Sequence, residues 1–264
     1  MAPTPYHFEE VTLLITHYNR SGSLGRLLDS FKAINCSFGD IVISDNASEA
    51  EHLDYIDKLS NKHNFRLITS ATNKGLGNNI NKGQDSVRTK YTVYIQDDFI
   101  ALPAFPEHFK DAFEIMSSDP QWDLVSFYSY VPYPYLKPYK KGFSEKLFKA
   151  MPWYTNHLKF YVYGDHPHLR RSNFFDKFGR YKEGLNLDET ERAMCLDFIR
   201  GKGKALFYDD HYGLLDQQNS DSEPSTATYR KEWRQRNTPL VLLLKWFYLK
   251  YKFVKINLQL LKKG

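Results

Sequence analysis

Apolar residues occupy the first hundred positions in short unbroken runs, separated by longer stretches of mixed character. The runs Val11–Thr16, Asp40–Asp45, Phe65–Thr69 and Lys90–Ile95 are rich in Val, Ile and Leu. Continuous apolar runs of this length are typical of strands that are buried on both faces. The pattern therefore predicts four buried strands in this part of the chain.

Between these runs, apolar residues recur every three or four positions, which is the spacing of one helix face. This spacing predicts helices within residues 24–31, 52–63 and 76–87. Strands that alternate with helices form βαβ units. We therefore expect an α/β fold of Rossmann-like type, with a mainly parallel central sheet flanked by helices.

Polar residues follow each predicted strand at its carboxyl end. These segments are Thr16–Asn19, Asp45–Asn46, Asn73–Gly75 and Asp97–Asp98. Ligands of open parallel sheets bind beyond the carboxyl ends of the strands. Because four segments converge on one edge, we expect a binding site there.

The second half has a different composition. Within Tyr128–Tyr154, the segment Val131–Tyr139 is rich in Pro and Tyr and predicts a loop, with a lid over the site as one reading. A polar loop over Arg180–Glu191 enters a predicted helix at Thr190–Arg200, and Ala205–Tyr208 is a predicted late strand. Gln217–Thr228 is rich in Ser, Asp and Gln, which indicates a flexible linker.

Positive charge is concentrated at the C-terminus. Residues 230–264 contain ten Lys or Arg and one acid, Glu232, whereas the net charge of the whole chain is +5. The body is therefore slightly acidic, and we expect no nucleic-acid partner. This tail fits an amphipathic helix from Pro239 onward. Its apolar stripe comprises Leu240, Leu244, Phe247, Tyr251, Val254, Leu258 and Leu261.

The tail helix has two interpretations. Lysines lie on its other side or its flanks, and Trp246, Phe247 and Tyr248 lie near its start, as in helices that bind a membrane surface. Alternatively, it docks on its own domain or on a second subunit. Its longest clean apolar run, Leu240–Leu244, is far short of the roughly 20 residues of a membrane span.

Cys36 and Cys195 are far apart and match no zinc or redox spacing, which favours a reducing compartment. The N-terminal residues show no signal-peptide pattern. We therefore expect a cytoplasmic protein whose tail lies at the inner face of the cell membrane.

Asp97-Asp98 directly follows a predicted buried strand. Carboxylate oxygens at a strand end can hold a hard cation and leave coordination positions open for phosphate. The alternative is a capped or solvated turn. Asn73-Lys74-Gly75 opens a helix, where backbone N–H groups attract phosphate. Asp45 could accept a hydrogen bond from a nucleobase or merely cap its strand.

Three acids, Asp188, Glu189 and Glu191, precede or begin an apolar helix. One of them is a candidate general base, while acids also favour helix N-termini for electrostatic reasons. His211 follows a strand beside two Asp residues and is either a metal ligand or a structural histidine.

Four segments resemble the family 2 glycosyltransferases, which have the GT-A fold. Val11–Arg20 resembles the opening strand and turn, and Ile43–Ser48 the second-strand segment in which an Asp contacts the nucleobase. Asn73–Gly83 keeps the family's two Asn-x-Gly elements, and Ile95–Asp98 occupies the place of its Asp-x-Asp motif. The similarity covers residues 11–100 well and 160–213 loosely.

The resemblance implies roles for individual residues. The nucleotide-sugar donor would contact Thr16, Tyr18, Arg20, Asp45, Asn73, Gly75, Asn81 and Asp97. Asp98 and His211 would ligate Mn²⁺ or Mg²⁺, and Glu191 would be the base, with Asp188 and Glu189 as alternatives. The chain departs from the family pattern at Gln96, which replaces the first acid, and at Ile80, where many members carry Arg.

The resemblance also implies an activity and a domain organisation. Residues 1–229 would be the catalytic domain, with a donor half at 1–100 and an acceptor half at 101–229, followed by the helical tail at 230–264. We expect inverting, metal-dependent sugar transfer from a nucleotide-diphosphate sugar, with a UDP-sugar favoured. The acceptor would be a glycan or lipid-linked hydroxyl in cell-surface polysaccharide synthesis. The rivals are a nucleotidyltransferase and a non-catalytic nucleotide-sugar-binding protein.

Overall fold

The computed structural model describes residues 5–150, 154–219, 223 and 238–261. Its centre is a nine-stranded sheet with the order β3-β2-β1-β4-β9-β6-β10-β8-β7, and a small antiparallel pair, β11-β5, lies apart from it. The strands are β1 Tyr6–His17, β2 Cys36–Asp45, β3 Arg66–Ile68, β4 Tyr91–Gln96, β5 Phe99–Ala101, β6 Leu124–Ser126, β7 Leu136–Lys140, β8 Phe143–Lys146, β9 His168–Arg171, β10 Ala205–Tyr208 and β11 Leu215–Gln217.

In the described residues, seven α-helices surround the sheet. They are α1 Ser21–Ala33, α2 Ala50–Ser60, α3 Gly75–Asp85, α4 Phe105–Ser118, α5 Phe174–Phe178, α6 Leu187–Arg200 and α7 Pro239–Leu261, and a 3₁₀ helix spans His157–Phe160. The four strands and three helices predicted in the first hundred residues are all present, with ends shifted by a few residues. The α/β prediction is confirmed.

The sheet separates two hydrophobic cores. Along β1, Leu13 and Ile15 pack on one side with residues of α1 and α4, because alternate side chains of a strand point to opposite faces. Leu14 packs on the other side with residues of α3, α5 and α6. Both faces of β1 are buried, which explains its uninterrupted apolar sequence.

The strand directions place several carboxyl ends at one edge. Strand β1 runs parallel to β2 and β4, and β10 runs parallel to β6. Strand β9 lies antiparallel between β4 and β6. Strands β1, β2, β4, β6 and β10 therefore all end at the same edge, on both sides of the inserted β9.

Two predicted irregular segments contain regular structure. The sequence predicts a loop over Val131–Tyr139, but its second part belongs to β7, Leu136–Lys140, which pairs with the antiparallel β8, Phe143–Lys146, at the sheet margin. Pro138 is tolerated there because β7 is an edge strand. Within the predicted linker, Gln217 ends β11, which pairs with β5. Residues 220–222 and 224–228 of that linker lie outside the described residues.

The C-terminal helix docks through a face that the periodicity did not select. Phe253 and Ile256 are buried against Phe160 and Leu196. The described residues of the predicted stripe are exposed instead, including Phe247 at 57% and Tyr251 at 62%. The prediction of a helix is confirmed, but the assignment of its faces needs correction. No helix among the described residues is long and apolar enough to cross a membrane.

Candidate active site

A cavity of about 720 Å³ opens at the edge where the parallel strands end. Thr16 of β1, Asp97 and Asp98 after β4, Ser126 of β6 and Phe207 of β10 all line it. The convergence of polar strand ends that the sequence predicts is therefore present. Helix α6 and helix α7 also contribute, through Glu191 and Lys252 respectively.

The acidic pair after β4 is held by one arginine. Arg20 Nη1 lies 3.3 Å from Asp97 Oδ1 and 3.2 Å from Asp98 Oδ2. Gln217 Nε2 donates to Asp98 Oδ2 at 2.7 Å. Both carboxyl groups are buried, at 5% exposure. One guanidinium group therefore faces two carboxyl groups, so the negative charge of Asp97 and Asp98 is only partly neutralised.

Burial raises the pKa of Asp97 to about 7, and the neighbouring Asp98 adds to this, while His17 and Arg20 oppose it. Asp98 Oδ1 is buried with no hydrogen-bond partner among the described residues. An unpaired carboxylate oxygen is costly in such a site unless a cation or a donor meets it. Asp98, with Asp97 beside it, therefore fits a divalent cation, for which carboxylate oxygens are preferred ligands.

Several predicted donor-binding residues line the cavity together: Thr16, Tyr18, Arg20, Asn73, Gly75 and Asp97. Asn73 Oδ1 accepts hydrogen bonds from Asn46 Nδ2 at 2.7 Å and from the Gly75 N–H at 2.9 Å. Gly75 has φ +81°, a conformation that favours glycine, and it starts α3 at the cavity wall.

Asp45 and Asn81 do not line the cavity. Asp45 is fully buried and accepts hydrogen bonds from His17 Nδ1 at 2.8 Å and from the Ser48 N–H at 3.0 Å. Asn81 bonds instead to the backbone of Tyr181, which ties α3 to the segment before α6. In this structure both residues brace the walls of the cavity, and Asn46 is the residue after β2 that reaches it.

Glu189 and His211 also lie away from the cavity lining. Glu189 accepts a hydrogen bond from Asn186 Nδ2 at 2.9 Å, as part of the cap of α6. The His211 ring lies 6.1 Å from the Phe207 ring and 4.3 Å from the Tyr212 ring. The structure thus brings Asp98 into the cavity without bringing His211 beside it.

Glu191 faces a second acid, Asp165, across the cavity wall. Their carboxylate oxygens and a nitrogen of His166 lie within 4.8 Å of one another, and all three residues are half-buried. The Asp165 N–H donates to Glu191 Oε1 at 3.3 Å. Asp188, the remaining predicted acid, lines the cavity beside Glu191.

Burial raises the pKa of Glu191 well above its usual range, and the charge of Asp165 raises it further. Burial likewise raises the pKa of Asp165 to about 6. Two acids this close favour sharing one proton over carrying two charges. The pair is therefore suited to receive and return a proton near neutral pH.

Sequence reasoning missed Asp165, Lys146 and Lys252 as lining residues. Asp165 had a signal, since it is an acid in the short segment between the aromatic run Phe160–Tyr163 and β9. Lys252 had none, because it lies on a helix whose docking face is decided by tertiary packing.

The sequence model of the family described as "Glycosyl transferase family 2" matches residues 12–179, which is more than half of the chain. A search of the curated proteins found no match. Among solved structures, residues 1–349 of S. aureus TarS in complex with UDP-GlcNAc match with a TM-score of 0.57 and 14% identity. That match covers 82% of this chain and 61% of the other.

The mannosyltransferase PcManGT from Pyrobaculum calidifontis, in complex with GDP-Man and Mn²⁺, matches with a TM-score of 0.52 and 12% identity. The match covers 76% of this chain and 55% of the PcManGT chain. This protein thus spans less than two thirds of each of these structures, and at such identities the likeness is one of fold. The family match and the shared fold together identify the chain as a member of the family 2 glycosyltransferases, with the GT-A fold.

Proposed function

We propose that this glycosyltransferase is an inverting, metal-dependent enzyme that moves a sugar from a nucleotide-diphosphate donor to an acceptor hydroxyl. The observation that carries the proposal is the buried, unpartnered Oδ1 of Asp98 in a cavity that also contains the Asp165–Glu191 pair. A cation-binding carboxylate and a proton-accepting carboxyl pair are the two groups that such a transfer requires.

The donor would lie along the ends of β1, β2 and β4. Thr16, Tyr18, Asn73 and Gly75, which line the cavity, would contact the nucleotide. UDP is the favoured carrier. Asp98, assisted by Asp97, would hold Mn²⁺ or Mg²⁺, which when bound offsets the negative charge of the leaving diphosphate. The PcManGT complex with GDP-Man and Mn²⁺ supports a nucleotide-sugar donor and this metal, and the TarS complex with UDP-GlcNAc supports UDP as the carrier.

The acceptor would enter between α6 and α7. Glu191, paired with Asp165, would take the proton of the attacking hydroxyl as the bond to the sugar forms. The Asp165 N–H bond to Glu191 Oε1 orients that carboxyl group in the cavity wall. Asp188 lies beside it and remains the alternative base.

We further propose a glycan or lipid-linked acceptor at the inner face of the membrane, in the synthesis of a cell-surface polysaccharide. Residues 238–261 contain four lysines and no acid. Leu244, Phe247 and Tyr251 are more than half exposed on α7. An apolar, aromatic and basic helix surface favours anionic lipid over water.

A binding and turnover panel tests the proposal with four variants. Thermal shifts are measured with UDP, GDP and UDP-GlcNAc, with and without Mn²⁺, and donor hydrolysis is followed in parallel. We expect one nucleotide with Mn²⁺ to raise the melting temperature by several degrees, since a ligand that binds only the folded state stabilises it. Asp98→Asn should lose the Mn²⁺-dependent part of that shift.

Glu191→Gln should behave in the opposite way, keeping the shift and losing hydrolysis at least about a hundredfold, because an amide cannot accept the proton. Asp216→Asn, an exposed acid next to Gln217, is the matched control and should change neither quantity. No shift with any nucleotide would refute the donor site. Full turnover by Glu191→Gln, with loss in Asp165→Asn, would move the base to Asp165.

A further inference from the structure

Lys146 is a buried cation on the cavity wall. It ends β8, is only 8% exposed and lines the cavity. Its Nζ donates to Ser126 Oγ at 3.0 Å and lies 5.2 Å from the centroid of the Phe207 ring. Among the described residues no carboxylate lies within ion-pairing distance of it, and an ammonium group has three N–H donors. At least part of its bonding capacity is therefore unused.

A buried charge without a carboxylate partner is energetically unfavourable. Taking an ammonium group out of water costs several kcal/mol unless a counter-charge or several acceptors replace the water. The Ser126 hydroxyl and the aromatic faces of Phe207 and Tyr133 replace only part of the lost hydration of the Lys146 ammonium group. Burial lowers the pKa of Lys146 to about 8, so the group still carries its charge at neutral pH.

Lys159 is a second buried lysine of this protein, with a structural role, and it serves as a comparison for Lys146. It is fully buried and donates to the Lys149 carbonyl at 3.3 Å. Its ammonium group lies 4.8 to 5.6 Å from the ring centroids of Phe148, Phe160 and Phe253, and it does not line the cavity. Lys159 thus serves the seat of α7, whereas Lys146 opens onto the space in which the substrates would react.

We propose that Lys146 binds an anionic group, a carboxylate or a phosphate, carried by the sugar that enters the cavity. The group belongs either to the transferred sugar of the donor or to the acceptor residue. A charge-assisted hydrogen bond in a buried site is stronger than one to a neutral hydroxyl and offsets the burial of the ammonium. This inference rests on the proposed function, because it concerns the sugars of that same site.

The donor arm of the test compares matched neutral and acidic nucleotide sugars. Calorimetry in the presence of Mn²⁺ measures UDP-glucose against UDP-glucuronic acid with wild type, Lys146→Met and Lys159→Met. GDP-mannose and GDP-mannuronic acid replace this pair if the protein selects guanine. If the anion belongs to the donor, wild type and Lys159→Met should prefer the acidic sugar by about tenfold or more. Lys146→Met should bind both members of the pair about equally.

The acceptor arm uses the protein saturated with UDP and Mn²⁺. Methyl glucuronide is compared with methyl glucoside, and glycerol phosphate with glycerol, in the same three proteins. A preference for the anionic probe that disappears in Lys146→Met places the anion on the acceptor. Whichever arm shows the Lys146-dependent preference identifies which substrate carries the charge.

The melting temperature of the ligand-free proteins separates binding from a structural role. Lys146→Met should melt at the same temperature as wild type or higher, because it removes a buried charge that has no carboxylate partner among the described residues. If Lys146→Met fails to fold, Lys146→Gln replaces it. The preference of the wild-type protein for the anionic over the neutral probe is measured without any variant, and its absence would still overturn the inference. UDP binding with no preference for an anionic probe in either arm overturns the inference but leaves the proposed function standing. Absence of UDP binding overturns both.

Discussion

At the scale of single residues, the cavity is lined by charged side chains that are buried even in the ligand-free protein. Asp98 has an unpartnered oxygen, and Arg20 is shared between two carboxyl groups. Asp165 and Glu191 lie close together and also line the cavity. Such uncompensated groups destabilise the ligand-free fold and are typical of sites that bind and react.

The acid pair makes stability depend on pH. Because folding raises the pKa of both Glu191 and Asp165, the folded state holds more protons than the unfolded chain above about pH 4, where unperturbed carboxyl groups lose theirs. The stabilising contribution of the protonated pair is thus complete at low pH and is lost as the pH rises through 6. Lys146, Lys252 and Asp188 are the charged groups that also act on this pair.

We predict that Glu191→Gln is more stable than wild type at pH 8, by about 1–2 kcal/mol, and gains little at pH 4.5. Urea unfolding at the two pH values measures the difference in the free energy of unfolding. Glu189→Gln is the matched control, since Glu189 lies outside the cavity with its side chain 44% exposed. Equal pH dependence in wild type and Glu191→Gln would show that the pair holds no extra proton.

At the scale of elements, α7 has two different faces. Phe253 and Ile256 fill a hydrophobic seat formed with Phe160 and Leu196, and Lys252 reaches the cavity and donates to the Tyr161 hydroxyl at 2.9 Å. The other face, with Phe247 and Tyr251, has no protein cover in the described chain. The helix therefore connects the acceptor side of the cavity to an exposed apolar surface.

A pair of variants separates these faces. Phe247→Asp should lower binding to vesicles of mixed neutral and anionic lipid by about tenfold and leave the melting temperature unchanged, because the side chain is already exposed. Ile256→Asp should lower the melting temperature, because it places a charge in the buried seat. Vesicle co-sedimentation and thermal unfolding measure the two effects. If the wild-type protein does not co-sediment with anionic vesicles, the proposed role of this face is contradicted.

At the scale of the whole molecule, one sheet joins the predicted donor and acceptor halves. Strand β9, from the second half, pairs with β4 of the first half and with β6. The buried Arg170 on β9 donates to Gln84 Oε1 of α3 at 2.8 Å. Neither half therefore has a complete sheet without the other.

We predict that residues 1–100 alone do not fold cooperatively, because β4 would present an open edge and one hydrophobic core would lose most of its residues. A chain ending at residue 229 should fold, with a lower melting temperature than the full chain, because only the seat of α7 is lost. Circular dichroism during heating distinguishes the two. A sharp transition in the shorter fragment would show that the donor half is an independent domain.

The sequence by itself determined the strands and helices of residues 1–100 and the edge on which their polar ends meet, with Asp98 at that edge. These follow from local periodicity and from the parallel order of βαβ units, which the chain encodes over a few residues at a time. Only the tertiary structure decided that Asp45 is buried and does not line the cavity, that Asp165 joins Glu191, and that Lys146 faces the cavity without a counter-charge in the described part of the chain. It also decided the docking face of α7, because a helix that is apolar on most sides carries no periodic signal for its partner. Such contacts join residues distant in sequence, so their energies exist only once the sheet has brought them together.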